Sequence, residues 1–381
     1  MTGGVNHQND GFSLVVDKSI ASDIHQHLVD GGYINNDYVI KDLGQHIAIP
    51  VTNPVVIRKL DWFDEEKLQF ETIILEPKKS TNTPAQEIVS KIEKLLVANS
   101  LILTKEMVNF LPKKWELFSD LAIVPSDSLN SKEWQDLLSK NEALSEEIWQ
   151  IIADSLKVSR IARQSEIAND KLRSSQVKMI VGDSGEVEFV DYGVKFWLDV
   201  TKVMFSSGNV TERHRIGSID MTGEVVVDAF SGIGYYTLPM LVRSNAKHVY
   251  ACELNPNSIY ALTKGADLNA VSDRLTIIEG DNQITLKSLS RMADRVHLGI
   301  LPSSENTWQL AIDCLKQSGG IIHIHMNVRE NEISSFVDYC LKQLKQYAVH
   351  REFNVVELIH LEKVKWYAPH IRHIVIDVSV K

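Results

Sequence analysis

Val225-Val226-Val227-Asp228-Ala229-Phe230-Ser231-Gly232-Ile233-Gly234 is a β-branched run that ends in a carboxylate and a glycine turn, followed at Tyr235 to Val242 by an apolar stretch of helical length. A continuous apolar run of this kind reads as a strand buried on both faces, as in a parallel sheet. Gly232 and Gly234 allow the backbone to approach a ligand where a Cβ would collide. With only two glycines the turn departs from the three-glycine dinucleotide fingerprint, so the spacing suits a nucleoside better than a pyrophosphate. A tight strand-to-helix turn without a ligand is the plain alternative. On the nucleoside reading, Asp228, Gly232 and Gly234 are the first candidate cofactor-binding residues.

The segments that follow alternate in type: His248 to Glu253, Asn257 to Leu268, Leu275 to Glu279, Arg295 to Ile300, Thr307 to Lys316, Gly320 to His325 and Ile333 to Leu344. Strand and helix in alternation predict a parallel sheet with helices on both faces. Two closing extended runs, Phe353 to Val364 and His373 to Val380, are expected to form an antiparallel hairpin at its edge. Glu253 ends the second strand, where a carboxylate can accept both ribose hydroxyls of a bound nucleoside. Asp281 and Asn282 follow the third strand, at the height of an adenine edge. After the fourth strand, Leu301-Pro302-Ser303-Ser304 faces the reacting end of such a site and makes Pro302 and Ser303 the substrate-side candidates.

Upstream the pattern is less regular. Phe12 to Asp17 alternates like a strand, Ser19 to Val29 has helical period, and Tyr38 to Val51 is extended. Pro77 to Pro84 (PKKSTNTP) is rich in breakers and reads as a linker. Ala85 to Ala98 is an amphipathic helix, and Lys132 to Arg163 keeps a helical stripe. Val177 to Val181 and Val187 to Val200 read as two strands joined by the turn Gly182-Asp183-Ser184-Gly185-Glu186. The expected organisation is an N-terminal α/β module over 1–80, a middle α+β domain over 85–200, and a Rossmann-like α/β domain over 203–381.

Composition sets limits on function. A net charge of -10 excludes a protein that coats nucleic acid by bulk electrostatics, so any RNA site has to be a local patch. Arg213, His214, Arg215, Lys363, Lys365, Trp366, Tyr367, His370 and Arg372 are the candidates for it. No stretch reaches the roughly 20 apolar residues of a membrane span, and the N-terminus has neither a secretory nor a transit pattern, so the expected address is cytoplasmic. Cys252, Cys314 and Cys340 sit in separate apolar runs and read as buried thiols. His323 and His325 share one strand face, but no third ligand stands at metal spacing, and no metal is expected.

The ordered set Phe205 to Arg213 (FSSGNVTER), Asp228 to Tyr236, Ala251 to Pro256, Gly280 to Asn282, Leu301 to Glu305, His323 to His325 and Val364 to His370 resembles the tRNA wybutosine-synthesizing protein 2 family. The likeness is dense from about Lys178 onward. It implies a class I S-adenosylmethionine-dependent fold and transfer of the 3-amino-3-carboxypropyl group to 4-demethylwyosine at position 37 of tRNA-Phe, with methylthioadenosine released. Carried over by position, it implies Ser206, Arg213, Glu253, Asp281 and Asn282 as contacts of S-adenosylmethionine. Arg213 is expected to grip the carboxylate of the methionine arm, and Glu212 aligns with a base of the related tRNA guanine methyltransferases. Those relatives have Arg at the place of Gly208 and Asn at that of Ile300, which counts against methylation here. Two alternatives stay open, a tRNA guanine N-methyltransferase and a non-catalytic RNA-binding subunit.

Overall fold

Val226 and Val227, neighbours on one strand, enter two different hydrophobic cores, as expected of a strand covered on both faces. The computed structural model describes residues 10–64, 67–76, 83–165, 175, 177–204 and 207–381. The chain forms two compact units, Met1–Thr83 and Pro84–Lys381.

In the first unit, strands β1 (Asp10–Asp17), β2 (Lys41–Asp42), β3 (His46–Pro50) and β4 (Gln69–Ile74) make a sheet of order β2-β3-β1-β4. Helix α1 (Ala21–Asp30) packs on it through Ile24 and Leu28, and the short α2 (Pro54–Ile57) contributes Ile57. The extended stretch 38–51 holds β2 and β3, and Val51 adds a bridge to Ile34, with loop at 39–40 and 43–45.

The second unit opens with α3 (Pro84–Ala98), α4 (Lys105–Asn109), β5 (Glu116–Phe118), β6 (Leu121–Val124), α5 (Lys132–Lys140), α6 (Glu142–Leu156), β7 (Arg160–Arg163) and β8 (Lys178–Val181). The long helical stripe from 132 to 163 is three elements rather than one. Asn141 breaks it, accepting from the Leu144 amide at 3.1 Å to cap α6, and Lys157 ends α6 in the left-handed region with φ 58°. Arg160–Arg163 then pairs as a strand, so the middle region holds a mixed sheet of order β5-β6-β7-β8. The expected hairpin is also placed differently. β8 joins that sheet, and the hairpin spans 186–199, between β9 (Glu186–Asp191) and β10 (Val194–Asp199). Tyr192 and Gly193 both have positive φ, 50° and 78°, the geometry that two-residue hairpin turns require.

The remaining elements are α7 (Val210–Ile216), β11 (Val225–Asp228), α8 (Thr237–Val242), β12 (His248–Glu253), α9 (Pro256–Leu268), β13 (Leu275–Glu279), α10 (Asn282–Thr285), β14 (Arg295–Leu298), α11 (Trp308–Cys314), β15 (Gly320–Arg329), α12 (Ile333–Val349), β16 (Val356–Ala368) and β17 (Ile371–Val380). Their seven-stranded sheet has the order β13-β12-β11-β14-β15-β17-β16, parallel except for β17, which runs antiparallel to both of its neighbours. This is the Rossmann-like α/β architecture that the sequence pattern implies. The strand order reverses between β11 and β14, the switch point where open α/β sheets bind ligands. One core packs Ile322, Ile324 and Ile376 under Trp308, Ile312 and Leu344. The other joins Val226, Val249 and Leu238 to Val194 and Phe196 of the hairpin and to Phe118, Leu121 and Ala162 of the middle sheet. Residues on either side of position 200 therefore share one core. All three cysteines are buried thiols, and burial raises Cys314 and Cys340 to about 12. No helix among the described residues is long and apolar enough to cross a membrane.

Candidate active site

The turn after β11 is shaped by its glycines. Gly232 and Gly234 have φ of 55° and 94°, and a Cβ on Gly234 would lie 2.7 Å from Leu262 and 2.8 Å from Leu238. This path lets the Gly232 amide donate to Glu253 Oε2 at 2.7 Å. Oε1 of Glu253 accepts from the Leu254 and Asn255 amides at 2.9 and 2.8 Å. Burial raises the Glu253 carboxyl above its ordinary value against the pull of these amides. Three of roughly four acceptor positions of a carboxylate are thereby used, which leaves room for one ribose hydroxyl rather than the expected two.

Glu253 lines an open cavity of about 330 Å³ with Asp281, Asn282, Phe230, Leu254 and Ile300 among its walls. Asp281 caps α10 by accepting from the Gln283 amide at 2.9 Å, and Asn282 Nδ2 donates to the Ala229 carbonyl at 3.3 Å. The structure thus brings three of the expected cofactor residues, from the ends of two different strands, into one cavity beside the glycine turn. Carboxylates for hydroxyls and amino groups, an amide side chain, and apolar walls for a ring fit a nucleoside of the size expected. The apolar members Phe230 and Leu254 escaped the sequence reading, although each adjoins a residue of a strand-end motif.

Asp228 does not face the cavity. It is fully buried, with Oδ2 accepting from Thr237 Oγ1 at 2.7 Å and Oδ1 from the Phe230 amide at 3.3 Å. Its work is to fix the turn. Pro302 and Ser303 are exposed on the loop after β14, and Ser303 Oγ accepts from the Glu305 amide at 3.2 Å. Ser206 lies outside the described residues.

Arg213 and Glu212 occupy places other than those expected. Arg213 is 2% exposed, its Nε donates to Asp191 Oδ2 at 2.6 Å, and its guanidinium sits 5.7 Å above the Phe196 ring. The guanidinium therefore ties α7 to the β9–β10 hairpin, which is a correction to its assignment as the grip on the methionine carboxylate. Glu212 is fully buried, and both oxygens accept from Arg215 at 2.7 Å. Burial raises its carboxyl despite Arg215. Neither residue lines the cavity.

Arg215 continues into a chain of buried and partly buried charges. It donates to Asp377 Oδ2 at 2.7 Å, Asp377 meets His323 Nδ1 at 2.6 Å, His323 Nε2 meets Arg295 Nη1 at 2.8 Å, and Arg295 Nε donates to Glu224 at 2.7 Å. Arg295 can only donate, so His323 accepts at Nε2 and carries its proton at Nδ1, toward Asp377. Burial, with Arg295 adding to it and Asp377 opposing, lowers His323 to about 4. A second run, His297, His325 and His373, lies alongside, with ring nitrogens 3.2 and 3.0 Å apart. No group of three or more His, Cys, Asp or Glu among the described residues is arranged to hold a metal.

The basic patch is smaller than its sequence suggests. Arg213 and Arg215 are spent inside, and Lys363 and Arg372 both pair with Glu330. The exposed remainder is at the β16–β17 tip, where Arg372 stacks 3.7 Å above the Trp366 ring beside Tyr367.

A homolog of tRNA wybutosine-synthesizing protein 2 from Danio rerio is 35% identical over 339 residues, covering 81% of either chain. The chain belongs to this family. The TYW2 N-terminal domain matches residues 93–185 and the TRM5/TYW2 methyltransferase domain residues 187–356. The tRNA wybutosine-synthesizing protein 2/3/4 of Arabidopsis thaliana is 41% identical over 311 residues, 81% of this chain. The chain spans only 30% of that longer plant protein. Among solved structures, Pyrococcus horikoshii TYW2 in complex with MeSAdo superposes with a TM-score of 0.60 at 28% identity, covering 76% of this chain and 98% of that one.

Proposed function

We propose that this chain transfers the 3-amino-3-carboxypropyl group of S-adenosylmethionine to 4-demethylwyosine at position 37 of tRNA-Phe, a step of wybutosine synthesis in the cytoplasm. The observation that carries the proposal is the nucleoside cavity built by the Gly232 turn, Glu253, Asp281 and Asn282 at the switch point of a sheet of this family. Glu253 holds a ribose hydroxyl, and Asp281 and Asn282 meet the adenine edge. When bound, the sulfonium makes all three carbons attached to sulfur electrophilic, so position selects the group that leaves. The ring carbon of the acceptor forms a bond to the arm carbon next to sulfur, the carbon–sulfur bond breaks, and its electron pair stays with sulfur in methylthioadenosine. The ring carbon then loses a proton. That proton passes to solvent in this proposal, because both oxygens of Glu212 are engaged by Arg215 away from the cavity.

Residues 84–200 are proposed to help dock the tRNA, together with Trp366, Tyr367 and Arg372 at the β16–β17 tip. The test uses S-adenosylmethionine labelled either in the methyl or in the carboxyl carbon, with tRNA-Phe carrying the precursor base. Carboxyl label on tRNA with methylthioadenosine in the spent cofactor is expected. Methyl label on tRNA with S-adenosylhomocysteine would establish the methyltransferase alternative, and cofactor binding without transfer the non-catalytic one.

A further inference from the structure

Besides His297 Nδ1 on β14, the buried polar side-chain atoms of the large sheet that have no hydrogen-bond partner among the described residues lie at one corner of it. On the face that carries His323 and His325, the next residue of β15 in the same orientation is Asn327, since alternate residues of a strand share a face. Register sets Asn327 opposite His373 of β17, and His373 opposite Lys365 of β16, so the three side chains form a row across three strands. The 3₁₀ turn Ser207–Asn209 lies against this row. Lys365 Nζ fills the space where a Cβ of Gly208 would stand, with its Cδ 3.3 Å from that point. A side chain at position 208 would evict the lysine.

Four side-chain atoms in this corner are buried without a hydrogen-bond partner among the described residues: Oδ1 and Nδ2 of Asn327, Nδ1 of His373 and Oδ1 of Asn209. Buried polar groups left unpaired cost stability and are uncommon in folded proteins, so this corner can take a polar partner. The Asn327 backbone amide donates to the Pro302 carbonyl at 3.0 Å, which joins the corner to the loop after β14. The nucleoside cavity, in contrast, is walled mainly by residues that follow β11, β12 and β13, with Ile300 and Asn306 from the loop after β14. β17 is three strand spacings from β11, about 14 Å, on the opposite side of the switch point. That separation sets the corner apart from the adenosine end of the site.

We infer that Asn327 and Lys365 recognise the acceptor nucleotide of the tRNA, Asn327 through the polar edge of its base and Lys365 through its phosphate. The inference rests on the tRNA-modifying function proposed above. An amide side chain offers a donor and an acceptor side by side, the complement of a base edge, whereas a lysine offers only a positive charge and donors. Burial lowers the amine of Lys365, a penalty that a phosphate beside it would offset. His373 keeps Asn327 and Lys365 apart in the row and is itself braced by His325 at 3.0 Å.

The test measures binding of precursor-bearing tRNA by the full chain over a series of salt concentrations, with S-adenosylmethionine affinity by calorimetry in parallel. Lys365→Ala is expected to weaken tRNA binding and to lower the slope of log K against log salt by about 0.7 to 1, as one lost phosphate contact should. Asn327→Ala is expected to leave the slope unchanged and to weaken precursor tRNA roughly tenfold, more than it weakens tRNA with unmodified guanine at that position. If Asn327→Ala melts early, Asn327→Leu keeps the approximate size, removes the donor and the acceptor without adding charge and carries the same expectation. Loss of S-adenosylmethionine affinity with tRNA binding intact would assign the corner to the cofactor and overturn the inference, as would indifference of both variants. A wild-type chain that modifies tRNA while both variants behave like it overturns this inference alone. A wild-type chain that binds no tRNA overturns the proposed function with it.

Discussion

On the β11–β12–β13 side of the large sheet the chain presents backbone amides, glycines and half-exposed carboxylates, while on the β14–β15–β17 side it buries a relay of charged side chains. Glu253 is held by amides one and two residues away and by Gly232, so the first side is built from local chain geometry. The second is built from partners far apart in sequence: Arg215 and Asp377 are separated by 162 positions. The comparison teaches that the ligand-binding side owes its shape to turns, and that the acceptor side owes its rigidity to ionic pairing. Each can then be broken separately.

The largest effect is expected from Asp377→Ala. It strips Arg215 of one carboxylate and His323 of its Nδ1 acceptor in a buried site, and breaking a buried pair from one side costs about 3 to 5 kcal/mol. Denaturant unfolding measures it, with S-adenosylmethionine affinity nearly unchanged in the folded fraction. A stable variant that fails to bind the cofactor would mean that the two sides are one structure.

Acid should separate the sides next. Burial lowers His323 and His373 to about 4, and pushes His325 down as well, whereas the unfolded chain has histidines near 6.5. The unfolded chain therefore binds more protons between those values. The stability that these neutral rings contribute is fully present above about 6.5 and declines as the pH falls toward 4, by up to about 1.4 kcal/mol per pH unit for each ring. Asp377 does not share this window. Burial works to raise its carboxyl, but His323 and Arg215 hold it well below the usual range, so its contribution is lost only in stronger acid. Melting temperatures between pH 7 and pH 4.5 check the slope, and a flat profile would show the histidine row to be hydrated and charged.

On the other side, Glu253→Ala should lower S-adenosylmethionine affinity by about 1.5 to 3 kcal/mol, the worth of a hydrogen bond to a charged group, with little change in melting. Unchanged affinity would remove Glu253 from the site, and an early melt would show that its three amide contacts serve the fold first.

Much of the first side was legible because local patterns wrote it. A β-branched run with glycines after it, a carboxylate at the end of the next strand and an Asp-Asn pair after the third are adjacent symbols with local consequences. The strand alternation gave the sheet for the same reason. Where the outcome turned on a partner elsewhere, local pattern failed. The helical stripe over 132–163 conceals the break at Asn141 and the strand at Arg160, because a strand's pairing partner is not visible in its own period. The break at position 200 separates two sequence patterns but not two cores, since Phe196 packs with Leu238 and Phe118. Asp228 reads as a ligand residue from its position at a strand end, and only Thr237, nine residues on, turns it inward. Asn327 carried no signal, because its row with His373 and Lys365 exists only through register.

The smallest effect expected tests the residue whose assignment changed most. Asp191 is the partner that turns Arg213 toward the β9–β10 hairpin, and it also meets His214 at 2.7 Å. Burial tends to raise the Asp191 carboxyl, but His214 and Arg213 hold it below its ordinary value. Asp191→Asn keeps the size and removes the charge, leaving Arg213 to donate to a neutral oxygen. A loss of about 1 to 2 kcal/mol of stability is expected, the scale of one hydrogen bond to a charged group reduced to a neutral one. The affinities for S-adenosylmethionine and for methylthioadenosine, which lacks the arm, should both stay as they were. If Arg213 in fact serves the methionine carboxylate, the variant frees its guanidinium for the arm, and S-adenosylmethionine alone should then bind more tightly. The ratio of the two affinities is insensitive to any general softening of α7, because both ligands share the adenosine cavity. A rise in that ratio would return Arg213 to the ligand side of the comparison, and a constant ratio with a lower melting temperature would keep it in the hairpin.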